Sequence, residues 1–137
     1  MRVLFDTNVV LDVLLNRARR AAESARLFDA VANGAIEGLV AARSVTTVDC
    51  IVAKAYSRER ARRDVADLLR LFEVAGVGRA ELEAALTSGF KDYEDGVLHE
   101  AARAAGAEAI VTRNGADFVA AALRVYAPAD LLAALRP

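Results

Sequence analysis

Acidic and amide side chains gather at three places that resemble one another in this sequence: Asp6 with Asn8, then Asp92, Glu94 and Asp95, then Asn114 with Asp117. Brought together, such groups have a definite chemistry. Two carboxylates about 4–5 Å apart repel by roughly 3–4 kcal/mol at an effective dielectric of 20, so a cluster of them must take up protons or hold a cation. The chain has one cysteine, Cys50, and one histidine, His99. That excludes an internal disulfide, a multi-cysteine zinc site and a multi-histidine cluster within the chain, and leaves oxygen ligands and hence Mg²⁺ or Mn²⁺. Water bound to such an ion is more acidic than bulk water and can attack phosphorus. Phosphodiester hydrolysis, phosphomonoester hydrolysis and phosphotransfer all use acid sets of this kind, and spacing alone does not choose among them.

The elements around these clusters decide whether they can meet. Val3, Leu4 and Phe5 form a short apolar run suited to a strand buried on both faces, closed by Asp6, and Val10, Leu11, Leu14 and Leu15 follow at helical spacing. Asp6 therefore stands at a strand tip, where it is either a helix cap or part of a site. A second helix carries Ala21, Ala25 and Phe28 on one stripe, with Leu27 and Val31 beside it, and stops at Asn33-Gly34. Residues 36–41 read as a strand and the stretch from Arg43 to Val52 as a helix. Ser57 caps a helix with Val65, Leu68, Leu69 and Phe72 on its apolar stripe. Residues 72–77 hold a short strand, 81–86 a helix, 97–105 an alanine-rich helix ending at Gly106, 109–111 a third well-marked strand and 123–126 a last short one. Pro128 opens a final helix through Leu132 and Leu135. The alternation predicts an α/β fold with a mainly parallel sheet between helical layers, and right-handed crossovers would carry the three clusters to one sheet edge.

At 137 residues the chain fits one domain, residues 1–137. The formal charge of −1 supplies no global basic field, so any nucleic-acid site must be local. Arg58, Arg60, Arg62 and Arg63 are interspersed with Glu59 and Asp64, which reads as a solvated helix face rather than an RNA patch. Arg17, Arg19, Lys91 and Arg113, near the acid clusters in sequence, are the expected phosphate contacts. Cys50 is expected to be a small buried hydrophobe, His99 a packed or surface helix residue rather than a general base, and Tyr93 a core or rim residue. No leader-like segment or membrane-spanning run is seen, so a soluble, cytoplasmic protein is expected.

Three stretches carry a resemblance to a known family: Leu4-Phe5-Asp6-Thr7-Asn8-Val9-Val10-Leu11-Asp12, Asp95-Gly96-Val97-Leu98 leading into Ala101-Ala102, and Ile110-Val111-Thr112-Arg113-Asn114 with Asp117-Phe118. In order and spacing they resemble the PIN-domain nucleases, and among them the small single-domain bacterial type, the VapC-like toxins and their relatives. The resemblance implies a three-layer α/β/α sandwich and Mg²⁺- or Mn²⁺-dependent endonucleolytic cleavage of RNA. It also implies a toxin of a toxin–antitoxin pair, restrained by a cognate antitoxin and often dimeric. It makes Asp6, Asp95 and Asp117 with Asn114 the catalytic metal ligands, with Asn8 and Thr112 supporting the site. Asp92 and Glu94 either widen the metal site or give the start of their helix a negative charge, and Asp92 is the better candidate ligand because it shares a helical face with Asp95 at i, i+3. The pattern departs at two places. The family's frequent post-strand Asp is Asn114 here, so Asp117 would supply the charge. The Glu frequent on the helix after the second strand is also missing: the best spacing puts Cys50 there, and leaves Asp49 as the nearby acid.

Those departures sustain a second reading, a catalytically weak PIN-like domain that binds RNA or a protein. A phosphatase or phosphotransferase is a third. A phosphoaspartate mechanism would need an acid two residues after Asp6, and that place holds Asn8, which weakens it.

Overall fold

The computed structural model describes residues 1–17 and 19–136. Five strands, β1 (Arg2–Phe5), β2 (Glu37–Ala41), β3 (Glu73–Ala75), β4 (Ala109–Val111) and β5 (Arg124–Tyr126), form one sheet in the order β3-β2-β1-β4-β5. Every neighbouring pair is parallel. Around the sheet lie α1 (Thr7–Leu14), α2 (Ala21–Ala32), α3 (Ala42–Ala55), α4 (Arg58–Leu71), α5 (Arg79–Ala85), α6 (Tyr93–Ala104) and α7 (Pro128–Ala134), with a 3-10 turn at Gly115–Phe118. Thus the expected α/β alternation is present and the sheet is wholly parallel.

Strand side chains alternate between faces, and the core divides accordingly. Val3 and Phe5 join Val40 and Val111 on one face, where they pack against Val9, Val10, Leu27, Val48, Phe72 and Leu131 of the α1–α4 and α7 side. Leu4, Leu39 and Ile110 point the other way, onto Leu98, Ala101 and Ala102 of α6, against which α5 packs. The result is the three-layer sandwich. On the first face Phe5, Phe28 and Phe72 meet edge to face, with centroids 5.0–6.0 Å apart, the favoured aromatic geometry. The Phe72 ring lies so close over β2 that a Cβ on Gly38 would come within 2.6 Å of it.

Two expectations about faces are corrected. Leu69 is 48% exposed rather than part of the apolar stripe of α4, which turns Ala61 and Leu68 inward; one residue along a helix rotates a side chain by about 100°. Cys50 is exposed, not buried, because α3 sends Ser44, Val48 and Val52 inward, at i, i+4 and i+8, and Cys50 stands two steps round from Val48. The helix expected at 97–105 begins earlier, at Tyr93, with Asp92 as its cap. Tyr93 is a rim residue whose hydroxyl donates to Leu82 O at 2.8 Å.

The strands' N-terminal ends are tied by one side chain. Arg2 reaches Glu37 Oε2 at 2.6 Å, Glu73 Oε2 at 3.0 Å and Ala105 O at 2.9 Å, which joins β1, β2, β3 and the end of α6. The opposite edge, at the strands' C-terminal ends, is where the acids lie. There the chain, having added β2 and β3 on one side of β1, crosses to β4 on the other, the kind of switch point where ligands bind in parallel sheets.

Candidate active site

Asp6 occupies the tip of the central strand with extended backbone angles, φ −65° and ψ 150°, and caps α1. Its Oδ1 accepts the Thr7 N–H at 2.7 Å. Its Oδ2 accepts the Thr112 hydroxyl at 2.7 Å and Asn8 Nδ2 at 3.2 Å. Asn8 and Thr112 are themselves held from the β4 side: Asn8 Oδ1 accepts the Arg113 N–H at 3.4 Å and Thr112 Oγ1 accepts the Asn114 N–H at 3.1 Å. The sequence left Asp6 as either cap or site residue; its two oxygens divide the work, one capping and one facing β4. Burial raises its pKa, against the Thr112 and Thr7 hydrogen bonds and the charges of Arg113 and Arg43 that favour the ionised form.

The second acid group opens α6. Asp92 caps this helix by accepting the N–H groups of Glu94 at 2.8 Å and Asp95 at 3.4 Å. The start of α6 lies against residues 88–90 because position 96 lacks a side chain: a Cβ there would stand 2.9 Å from Ser88 Oγ. Asp95 is pushed up to about 6, first by burial and then by the negative charges of Asp92, Asp6, Asp117 and Glu94. Acids from three distant parts of the chain therefore act on one carboxyl group. Asp117, in the 3-10 turn after β4, is exposed and lines with Asp92, Lys91, Phe90 and Val119 a cleft of about 410 Å³. Asn114 is exposed at the head of that turn, its carbonyl accepting the Asp117 N–H at 2.9 Å.

Of the cations expected near the acids, Lys91 and Arg19 are exposed. Arg17 and Arg113 are instead engaged by Asp12, a fully buried carboxylate on α1. Arg17 Nη1 stands 3.3 Å from Asp12 Oδ1, and Arg113 Nε 2.6 Å from Oδ2; the latter is a close ion pair whose N–H is not aimed along the contact. Asp49 accepts a hydrogen bond from Arg62 of α4 at 3.0 Å. What α3 brings to the acid edge is a cation: Arg43 Nη2 meets Glu94 Oε2 at 3.0 Å, and the neighbouring Ser44 Oγ accepts the Thr7 hydroxyl at 2.7 Å. Asp12 and Arg43 were missed from sequence as site residues. Asp12 was detectable as one acid inside an otherwise apolar helix, and Arg43 as a charge in the first turn after a buried strand.

His99 is packed, 2% exposed, beside the Phe90 ring. Its Nε2 accepts the N–H groups of Ala122 at 3.0 Å and Leu123 at 3.4 Å, which leaves the proton on Nδ1 to be donated to Glu100 Oε2 at 2.8 Å. It secures the approach to β5 rather than facing the acids.

The acid edge suits a hard divalent cation in donor chemistry and in charge. Its donors are all oxygens, and Asp95, raised first by burial and then by the neighbouring acids, feels a negative field that a cation would relieve. Among the described residues no three His, Cys, Asp or Glu side chains form a ready-made cage, so water or substrate oxygens would have to complete the coordination, as is usual for Mg²⁺.

Comparison with known proteins bears on this arrangement. A family model described as the PIN domain matches residues 2–116. Among solved structures, VapBC2 from Rickettsia felis, bound to a DNA fragment from its promoter, includes a chain of similar fold at TM-score 0.68 and 14% identity, covering 93% of this chain and 98% of that one. A toxin–antitoxin complex from Klebsiella pneumoniae gives TM-score 0.68 at 23% identity, covering 92% and 97%. VapC20 from Mycobacterium tuberculosis, a Sarcin-Ricin loop cleaving toxin, gives 0.62 at 13%, covering 79% and 86%. Curated proteins give no match in sequence. With the family model spanning most of its length and a parallel sheet that carries acids along one edge, this chain belongs to the PIN-domain family.

Proposed function

We propose that the protein is a Mg²⁺- or Mn²⁺-dependent endoribonuclease that hydrolyses RNA phosphodiester bonds, and that it is the toxin of a toxin–antitoxin pair. The observation that carries this reading is the placement of Asp95 within the field of Asp6, Asp92 and Asp117. Asp6, Asp95 and Asp117 would hold the metal, with Asn114 as a neutral ligand and Asp92 at the margin. A bound ion would supply an acidified water and stabilise charge on the phosphate oxygens. The chain's own residues do the rest. Thr112 and Asn8 fix the Asp6 carboxylate, and Asp92 fixes the first turn of α6, from which Asp95 would present its ionised carboxylate. Arg17, Arg19, Lys91 and Arg113 are the proposed phosphate contacts. The partner reading rests on the likeness to chains from toxin–antitoxin complexes; a cognate antitoxin and a homodimer are part of this proposal. No helix among the described residues is long and apolar enough to cross a membrane, which accords with a cytoplasmic site of action.

A second reading, a PIN-like domain that binds RNA or protein without efficient cleavage, is favoured by one observation: α3 places Arg43 at the edge and turns Asp49 away to Arg62. One experiment separates the two. Asp6→Asn removes a ligand charge with almost no change in shape, so cleavage of RNA in Mn²⁺ should fall by orders of magnitude while the circular dichroism spectrum is kept. Cleavage at the parent rate would move the binding reading ahead.

A further inference from the structure

A second cleft of about 200 Å³ lies between the start of α2 and the start of α7, with Arg113, the residue after Thr112, in its wall. Arg20, Glu23, Arg113, Ala127, Pro128 and Ala129 line it. Its two arginines are unlike in setting. Arg20 is exposed at the cap position of α2 and makes no side-chain capping bond. Arg113 has only 19% of its side chain exposed, and its Nε lies 2.6 Å from Asp12 Oδ2 in an ion-pair contact without an aligned hydrogen bond, Asp12 itself having no exposure. Because Asp12 is shared with Arg17, whose side chain is 39% exposed, one buried carboxylate faces two guanidinium ions and the group carries an excess positive charge. A guanidinium whose Nε side rests against a carboxylate keeps its two Nη groups for a second, bidentate partner, and phosphate oxygens match that fork. The backbone of the same residue is bonded to Asn8, which in turn bonds Asp6, so whatever Arg113 grips is in register with the acids.

We propose that this cleft is a phosphate-binding subsite for a nucleotide next to the one cleaved. Arg113 and Arg20 take its phosphodiester, and Asp12 is the positioning residue that aims Arg113. The proposal deepens the ribonuclease reading and rests on it for the identity of the polymer. Glu23 opposes an anion here and sets a limit on affinity.

The test is binding of a fluorescein-labelled oligouridylate by the full chain in EDTA across a salt series. Each phosphate contact on a single strand contributes about 0.7 to the slope of log affinity against log salt. Arg113→Ala and Arg20→Ala should each flatten the slope by about that amount, and Glu23→Gln should tighten binding. Asp12→Asn should flatten the slope as much as Arg113→Ala, with the double variant no flatter than either; a merely structural Asp12 would lower the melting temperature and leave the slope alone. Should Asp12→Asn fail to fold, Arg113→Lys gives the same information: an ammonium captured by Asp12 has no second fork for phosphate, so its slope should equal that of Arg113→Ala. Unchanged slopes in the arginine variants would overturn the subsite, as would binding of polyglutamate in preference to oligouridylate. Cleavage in Mn²⁺ is assayed alongside. A parent that binds with these slopes yet does not cut removes the ribonuclease reading and leaves the subsite, whereas a parent that cuts while the variants keep its slope removes the subsite alone.

Discussion

Asp95 carries the plainest consequence at the scale of single residues. Its carboxyl group is raised from 3.8 to about 6 in the folded chain, so the folded state binds that proton more tightly than the unfolded state does. Stability from this group is therefore greatest below about pH 4 and is lost as pH rises through 6. In EDTA, Asp95→Asn should raise the melting temperature at pH 8 and change it little at pH 4; a variant less stable than the parent at pH 8 would show that favourable contacts, not repulsion, dominate there. The strand-tip place of Asp6 was legible in the sequence because the buried run Val3–Phe5 ends on it, whereas Asn8 and Thr112 were reached only through the family resemblance, and both donate to Asp6 Oδ2. The partners of Asp12 and Arg43 were not legible. Ion pairs such as Arg113 with Asp12 and Arg43 with Glu94 join residues remote in sequence, and no local pattern encodes which distant charge a side chain will meet.

Among the elements, β2 and its covering helices set the tightest packing. Gly38 leaves room for the Phe72 ring, with Val31 Cγ2 2.9 Å from where a Cβ would be. Gly38→Ala should cost about 1–3 kcal/mol by overpacking, read as a lower urea midpoint at unchanged slope. Gly76→Ala, where nothing lies within 4 Å of the added atom, should fall within about 0.5 kcal/mol of the parent. Equal effects would mean that Phe72 yields freely. Strand and helix positions could be read from period and punctuation: β4 falls where 109–111 was expected, and Ser57 caps α4 by accepting the Arg60 N–H at 3.1 Å. The phase of a helix was less legible. Leu69 and Cys50 have the composition of buried residues, but which of two adjacent side chains faces inward is settled by tertiary packing, not by either residue alone.

For the molecule as a whole, the proposed metal site would make metal binding and folding one equilibrium. A ligand that binds only the folded state stabilises it by about 2.7 kcal/mol at a hundredfold excess over Kd. Mn²⁺ should therefore raise the melting temperature of the parent in a concentration-dependent way and do so far less for Asp6→Asn or Asp95→Asn; a shift of equal size in all three would place the ion elsewhere. The near-zero formal charge means that the proposed RNA substrate would be steered by the local arginine and lysine positions, not by the surface as a whole.

The central place of β1 also governs time. Asp6 and Thr112, which share a hydrogen bond, are 106 residues apart, and β1 lacks its second neighbour until β4 exists. At about 5–20 residues per second, synthesis leaves an interval of about 5–20 s between them. Throughout it, a growing chain on the ribosome carries an unbraced first acid beside an open strand edge. The acid edge is thus incomplete through most of its own translation and is closed by one of the last strands to appear.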